Sequence, residues 1–188
     1  MMSRETAWEL LNRYNSEEHL IKHALTVEGV MRHFAPLFGG DPDDWGVLGL
    51  LHDLDYERWP EEHCIKEQEL MREAGVDPVL IRAAASHGFG LVCDVEPQSD
   101  MEKTLYTIDE LTGLIAAACL MRPSKSVLDI ELKSVKKKFK TKGFAAGVDR
   151  AVIEDGANRM GMSLDEVIEH TILGMREVAD AIGLRGNL

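Results

Sequence analysis

The sequence predicts an all-α fold in a single domain over residues 1–188. Three observations carry that reading: apolar residues recur at helical spacing along most of the chain, helix-start and helix-stop residues punctuate it, and no run of alternating β-branched residues interrupts it. There is no internal repeat and no low-complexity segment.

Each element follows from its punctuation. Ser3, with Glu5 and Thr6 behind it, caps a first helix, and Ser16, Glu17 and Glu18 open a second that carries His23 and stops at Gly39, Gly40 and Asp41. Asp41, Pro42, Asp43 and Asp44 start a third helix, with proline early and acids in the first turn, and it delivers His52-Asp53. Pro60 and Glu61 restart the chain for a helix bearing His63 and ending at Gly75. Asp77-Pro78 begins the His87 helix, which Gly88 and Gly90 end. After a loop over 91–99, Asp100 caps a long helix running through Asp109 to about Met121, and Pro123 breaks it. Three further helices are predicted, from Leu128 to Lys140, from Val148 to Met160, and from a capping box at Ser163 to Leu184.

Composition narrows the function classes. At 188 residues with 45% hydrophobic content, the chain is long enough for a sizeable core but short for two independent domains. Its 21 Lys and Arg against 33 Asp and Glu give a net charge of −12, the wrong sign for polymeric nucleic acid as a partner. No stretch approaches the ~20 apolar residues of a membrane span, and residues 1–5 lack the apolar core of a signal peptide, so a cytoplasmic protein is expected. Cys64, Cys93 and Cys119 show no Cys-x-x-Cys spacing, and reduced thiols are the default, with Cys64 read as a small buried hydrophobe.

Against that background four segments carry an anomaly. His52-Asp53 lies in the apolar run from Trp45 to Tyr56, and at helical spacing Asp53 falls on the side of Leu50. A buried, unpaired carboxylate costs several kcal/mol or protonates, whereas a bound divalent cation removes the difficulty. His23 shares a helical face with Leu20, Val27 and Val30; His87 follows Leu80, Ala83 and Ala84; Asp109 shares its face with Leu105, Thr112, Gly113 and Ala116. A core histidine bonded to a carbonyl would account for His23 or His87 alone. It does not account for two carboxylates on apolar faces with no Lys or Arg beside them, so these residues are read together as metal ligands.

The order His23, His52-Asp53, Asp109, with the flanking Leu50-Leu51 and Leu105 to Gly113 segments, resembles the HD superfamily of metal-dependent phosphohydrolases over roughly residues 17–120. The resemblance implies an HD-domain-like helical bundle with those four residues as metal ligands and residues 121–188 as a carboxy-terminal helical extension. It also implies a second metal where further histidines stand between the dipeptide and the last Asp, which here are His63 and His87. Tyr56 departs from the lysine that binuclear phosphodiesterase branches carry three residues after the dipeptide Asp; this counts against cyclic-dinucleotide hydrolysis, and Arg58 is the nearest replacement for the charge.

The chemistry expected of such a site is hydrolysis of a small phosphate ester. A divalent cation with open positions lowers the pKa of bound water to roughly 7, and a second ion about 3.5–4 Å away clamps attacking and leaving oxygens, with Asp53 bridging. Imidazole and carboxylate ligands admit Fe, Mn, Zn, Ni, Co or Mg. Two alternatives stay open: a di-iron oxygenase, and a non-catalytic ligand-binding signalling domain. Lys133 to Lys142 puts six lysines in ten residues of an otherwise acidic chain. That run is either a solvated helix face or a source of phosphate contacts through Lys138 or Lys140. His19, His33 and His170 are read as surface or packing residues.

Overall fold

Helix starts in the computed structural model, which describes residues 2–188, follow the capping chemistry closely; Met1, part of the stretch read above for a signal peptide, lies outside the described residues. The order is α1 (Arg4–Tyr14), α2 (Glu18–Phe34), α3 (Pro42–Leu51), α4 (Lys66–Glu73), α5 (Pro78–Ser86), α6 (Asp100–Leu120), α7 (Leu132–Phe139), α8 (Arg150–Met160) and α9 (Leu164–Glu177). Ser3, Asp41, Asp77 and Asp149 each accept a backbone N–H from the first turn of the helix they precede. Reciprocal capping boxes, Ser99 with Glu102 and Ser163 with Glu166, open α6 and α9. Each such cap contributes about 1 kcal/mol. Among the described residues there is no strand, only a single bridge between Phe89 and Cys93.

Helix ends depart from the sequence reading more than starts do. Helix α2 gives way at Phe34 to a 3-10 turn, Ala35–Phe38, closed by Gly39 at φ 70°. Ser99, not Asp100, caps α6; α7 begins at Leu132 instead of Leu128, α8 at Arg150 behind Asp149, and α9 ends at Glu177 instead of Leu184. The largest difference concerns the dipeptide. His52 is the C-cap of α3, and Asp53 lies beyond it in tight turns in which Tyr56 N–H bonds to Asp53 and Arg58 and Trp59 N–H bond to Asp55. His87 is likewise the C-cap of α5, and His63 precedes α4. Three of the predicted ligand segments therefore sit at helix ends, and only His23 and Asp109 are mid-helix.

One hydrophobic core runs from Ala7 in α1 to Leu184 beyond α9. Helices α2 and α6 are its centre: α2 packs on α3, α6 and α9, and α6 also meets α5, α7 and α8. The carboxy-terminal third is thus part of the same core, and Arg176 fastens it by donating to the carbonyls of Val127 (3.1 Å) and Ile130 (2.8 Å). Among the described residues, no helix is long and apolar enough to cross a membrane.

The α2–α3 contact has little tolerance at Gly49. A Cβ built there lies 2.7 Å from both the Cα and the backbone N of Glu28, and those atoms belong to a helix that cannot yield locally. Gly49→Ala is expected to cost roughly 2 kcal/mol by overpacking, seen as a fall of about 4–8 °C in thermal midpoint. An unchanged midpoint would show that α3 can slide freely over α2.

Candidate metal centre

Helices α2 and α6 carry His23 and Asp109 on their buried faces, and the ends of α3 and α5 bring His52, Asp53 and His87 to the same place. The first group of donors is compact. His23 Nε2 lies 2.9 Å from Asp109 Oδ1, 3.2 Å from His52 Nε2 and 3.4 Å from Asp53 Oδ2. His52 Nε2 lies 3.3 Å from each of the same two carboxylate oxygens. Donor atoms each ~2.0–2.2 Å from one ion stand roughly 3–3.5 Å apart at ordinary coordination angles, so these four residues have the spacing of a single coordination sphere.

A second group shares Asp53. Its other oxygen, Oδ1, is 3.5 Å from His63 Nε2 and 3.4 Å from His87 Nε2, and the two ring nitrogens are 3.1 Å apart. The two oxygens of Asp53 thus face different histidine pairs. The structure brings together all six residues read as ligands: His23, His52, Asp53, His63, His87 and Asp109. Groups among them could hold a metal ion.

The tautomers make the cluster a candidate for a cation. His52 Nδ1 donates to the Gly49 carbonyl (2.8 Å), His87 Nδ1 to the Ala84 carbonyl (2.5 Å), and His63 Nδ1 to Asp55 Oδ1 (2.8 Å). Carbonyls and carboxylates only accept, so in each neutral ring Nδ1 carries the hydrogen and Nε2 presents a lone pair. Across the His63–His87 gap two lone pairs face each other, with Asp53 Oδ1 alongside. Only a positive species relieves that arrangement, a proton or a metal ion. Among the described residues, Asp53 and Asp109 form ion pairs with histidines and with no Lys or Arg. A mixed set of imidazole and carboxylate donors lacking any other counter-charge fits a divalent ion.

Electrostatics agree with that fit. Burial opposes charging of His52, yet the Asp53 charge and the bonds from Asp109 and Asp53 outweigh it and raise the ring to about 10. His63 is also raised to about 10, burial being overcome by its bond to Asp55. Burial would push Asp53 and Asp109 up, but the surrounding histidines hold both below the usual carboxylate range. The site draws in protons strongly when nothing else positive occupies it.

Five of the six donors, His23, Asp53, His63, His87 and Asp109, line a cavity of about 300 Å³, and His52 is fully buried behind them. Tyr56, Gly88, Leu91, Val92, Glu110 and Val148 complete much of its wall, and no Lys or Arg is among the residues described there. Arg58 points elsewhere: it donates to the Arg13 carbonyl (2.7 Å) and lies over the Tyr14 ring, because the turns after His52 carry its side chain toward the end of α1. Lys138 sits over Phe144, with Nζ 4.6 Å from the ring centroid, and Lys140 is the exposed C-cap of α7. Helix α7 buries Val135 and Phe139, so its lysines form the outward face, and neither Lys138 nor Lys140 lines this cavity. His33 and His170, read as surface or packing residues, bond to each other (3.1 Å), and His33 also bonds to Glu177 (2.7 Å).

Sequence reasoning passed over Asp55, Glu67 and Glu110. Asp55 is fully buried, and its second oxygen accepts the Glu67 backbone N–H at 2.9 Å, so it holds His63 from a fixed position. Its only signal was the second Asp of the Asp53-Leu54-Asp55 run. Glu110 lines the cavity beside Asp109; burial is the main cause that raises its carboxyl to about 7, against an opposing bond from the Asp149 N–H.

Two outcomes are expected. Asp55→Asn keeps the size of the side chain but removes the charge that fixes the His63 tautomer; calorimetric metal titration should show affinity weakened about 10–100-fold, and unchanged affinity would remove Asp55 from the site. Because His52 and His63 titrate near 10 without a cation, they are protonated at neutral pH. Metal uptake must then displace protons, and apparent affinity should strengthen as pH rises from 6 to 9. Titrations in two buffers of different ionisation enthalpy measure the protons released; none released would contradict protonated imidazoles in the metal-free site. Compared with protein-family models, curated proteins and solved structures, the chain gives no match.

Proposed function

We propose that this chain is a metal-dependent hydrolase of small phosphate esters. The observation that carries the reading is Asp53 placed between two histidine groups, one oxygen toward each, at the floor of an open cavity. His23, His52, Asp53 and Asp109 would hold one ion, and Asp53, His63 and His87 a second. Bound there, divalent ions supply Lewis acidity that activates water and neutralises phosphate charge. The ordered histidines and aspartates resemble the HD superfamily, which supports the same chemistry.

The remaining roles belong to the protein's own side chains. Asp55 and the carbonyls of Gly49 and Ala84 hold three imidazoles in one tautomer, so the ligands need no reorganisation on binding. Glu110, protonated at or below about pH 7 and lining the cavity, is the group able to hand a proton to a leaving oxygen. Tyr56 lies edge-on to His63, ring centroids 5.0 Å apart, and forms part of the rim. A cavity of about 300 Å³ is at the small end of ligand sites, which favours a phosphomonoester or a small nucleotide over a polymer.

The donor set suits Fe, Mn, Zn, Ni or Co better than Mg, since imidazole nitrogen is well represented in both groups. Metal-loaded protein screened against phosphorylated metabolites is expected to release phosphate without consuming oxygen. His52→Ala and Asp53→Ala should lose both bound metal and hydrolysis while helical circular dichroism stays near wild type. Substrate-dependent oxygen uptake by iron-loaded protein would replace this reading with the oxygenase; full hydrolytic activity in either variant would end it. Ligand binding with no turnover by fully loaded protein would mark a non-catalytic domain.

A further inference from the structure

We propose that Cys64 supplies a sulfur ligand to the second ion, so that His63, His87, Asp53 and Cys64 together select a thiophilic metal such as Zn²⁺ or Co²⁺ over Mg²⁺. The inference rests on the metal-centre reading and is independent of which reaction the site performs.

Cys64 is fully buried, and its Sγ lies 3.7 Å from Nε2 and 3.9 Å from Nδ1 of His87. One donor atom from each of His63, Cys64 and His87 falls within 4.8 Å of the others. With metal–sulfur and metal–nitrogen bonds of ~2.3 and ~2.0 Å, sulfur and nitrogen on one tetrahedral ion stand roughly 3.5 Å apart. The sulfur is therefore near coordination range of the second ion.

The local backbone is bent to put it there. Cys64 adopts φ 65°, a left-handed conformation that non-glycine residues avoid. In extended chain, adjacent side chains point to opposite sides; the turn at Cys64 lets His63 and Cys64 reach the same cluster. Space for the sulfur comes from Gly88, where a Cβ would lie 2.5 Å from Sγ. Gly88 does not have a positive φ, so its backbone conformation does not require glycine; what it leaves is room.

An independent observation points to a positive occupant. Both carboxylate oxygens of Glu67 are buried without a hydrogen-bond partner, and Glu67, Asp55 and His63 each bring a donor atom within 4.8 Å of the others. Buried carboxylates are left without partners rarely and at high cost. The Nε2 atoms of His63 and His87, Oδ1 of Asp53 and the Cys64 thiol converge as a donor set that suits a cation, and sulfur decides which kind.

Titration of the metal-free full-length protein with Co²⁺ under reducing, anaerobic conditions tests this. Wild type should develop a near-ultraviolet sulfur-to-cobalt charge-transfer band as the second equivalent binds. Cys64→Ser should lose the band, keep the first equivalent, and bind the second at least tenfold more weakly; Cys93→Ser and Cys119→Ser should retain the band. In competition, Mg²⁺ should displace Co²⁺ from the second position more readily in Cys64→Ser than in wild type. Two bound Co²⁺ without the band, or a band surviving in Cys64→Ser, would overturn the sulfur ligand while leaving the metal centre intact. Failure of wild type to bind Co²⁺ at all would overturn both. Should Cys64→Ser not fold, the wild-type spectrum and the Cys93 and Cys119 variants still decide the matter.

Discussion

Everything distinctive about this molecule depends on imidazoles tied at Nδ1 and aimed at one another through Nε2. His52 and His87 achieve this by the same local device: each ends a helix and bonds back to the carbonyl three residues earlier. Such carbonyls are among those a helix terminus leaves without partners. Helix termination and ring orientation are therefore linked: the His52 ring bonds the Gly49 carbonyl at the end of α3, and at the end of α5 the Ala84 carbonyl takes both the His87 ring and the His87 backbone N–H. His63 has no helix to cap and uses a buried carboxylate, Asp55, for the same purpose. The resulting cluster of inward lone pairs is intrinsically unstable without positive charge, which is why burial fails to keep these rings neutral.

The helical frame supplies the remaining rigidity. His23 and Asp109 project from the middle of α2 and α6, the two helices with the most extensive packing, and their relative position is fixed by core contacts instead of by loops. Close approach is secured by small residues: Gly49 against the α2 backbone, and Gly156, where a Cβ would meet the Thr107 side chain at 2.0 Å, two residues before Asp109. Displacement of α3 or α8 would thus be transmitted to His52 and Asp109. Half-buried ion pairs, Arg4 with Glu28 and Arg82 with Glu102, hold α1 to α2 and α5 to α6.

The helical architecture was legible because its signals are local. Ser163 with Glu166 reads as a capping box in sequence and is one in space, and Asp41-Pro42 and Asp77-Pro78 start helices as their chemistry demands. Helix ends were harder, since Gly39 closes a 3-10 turn and not α2 itself, a distinction that depends on tertiary contacts. Asp53 was singled out as a misplaced charge on an apolar helix face, yet it stands in a turn; the residue was found because the run from Trp45 is buried, whatever its periodicity. Asp55 and Glu67 left almost no trace. Lys66, Gln68 and Glu69 surround Glu67 in sequence, so nothing local distinguishes a fully buried carboxylate from an exposed helix face. Conversely the lysines of α7 and Arg58 stood out by charge, and charge alone does not say which way a side chain turns.

The distribution of charge constrains how an anionic substrate can be held. Asp53, Asp109 and Glu110 line the cavity, no basic side chain is described there, and the whole chain carries −12. A phosphate approaching such a surface is repelled at long range and gains attraction only at the donor cluster itself. On the proposed reading, substrate affinity is therefore subordinate to metal occupancy: the ions are at once counter-charge and Lewis acid, and a protein stripped of them offers only protonated imidazoles already paired with Asp53 and Asp109. Each added phosphate brings further negative charge with no lysine or arginine to meet it. On that same proposal, a single phosphoryl group would sit on the ions, with the rest of the substrate against Leu91, Val92 and Val148, which line the cavity.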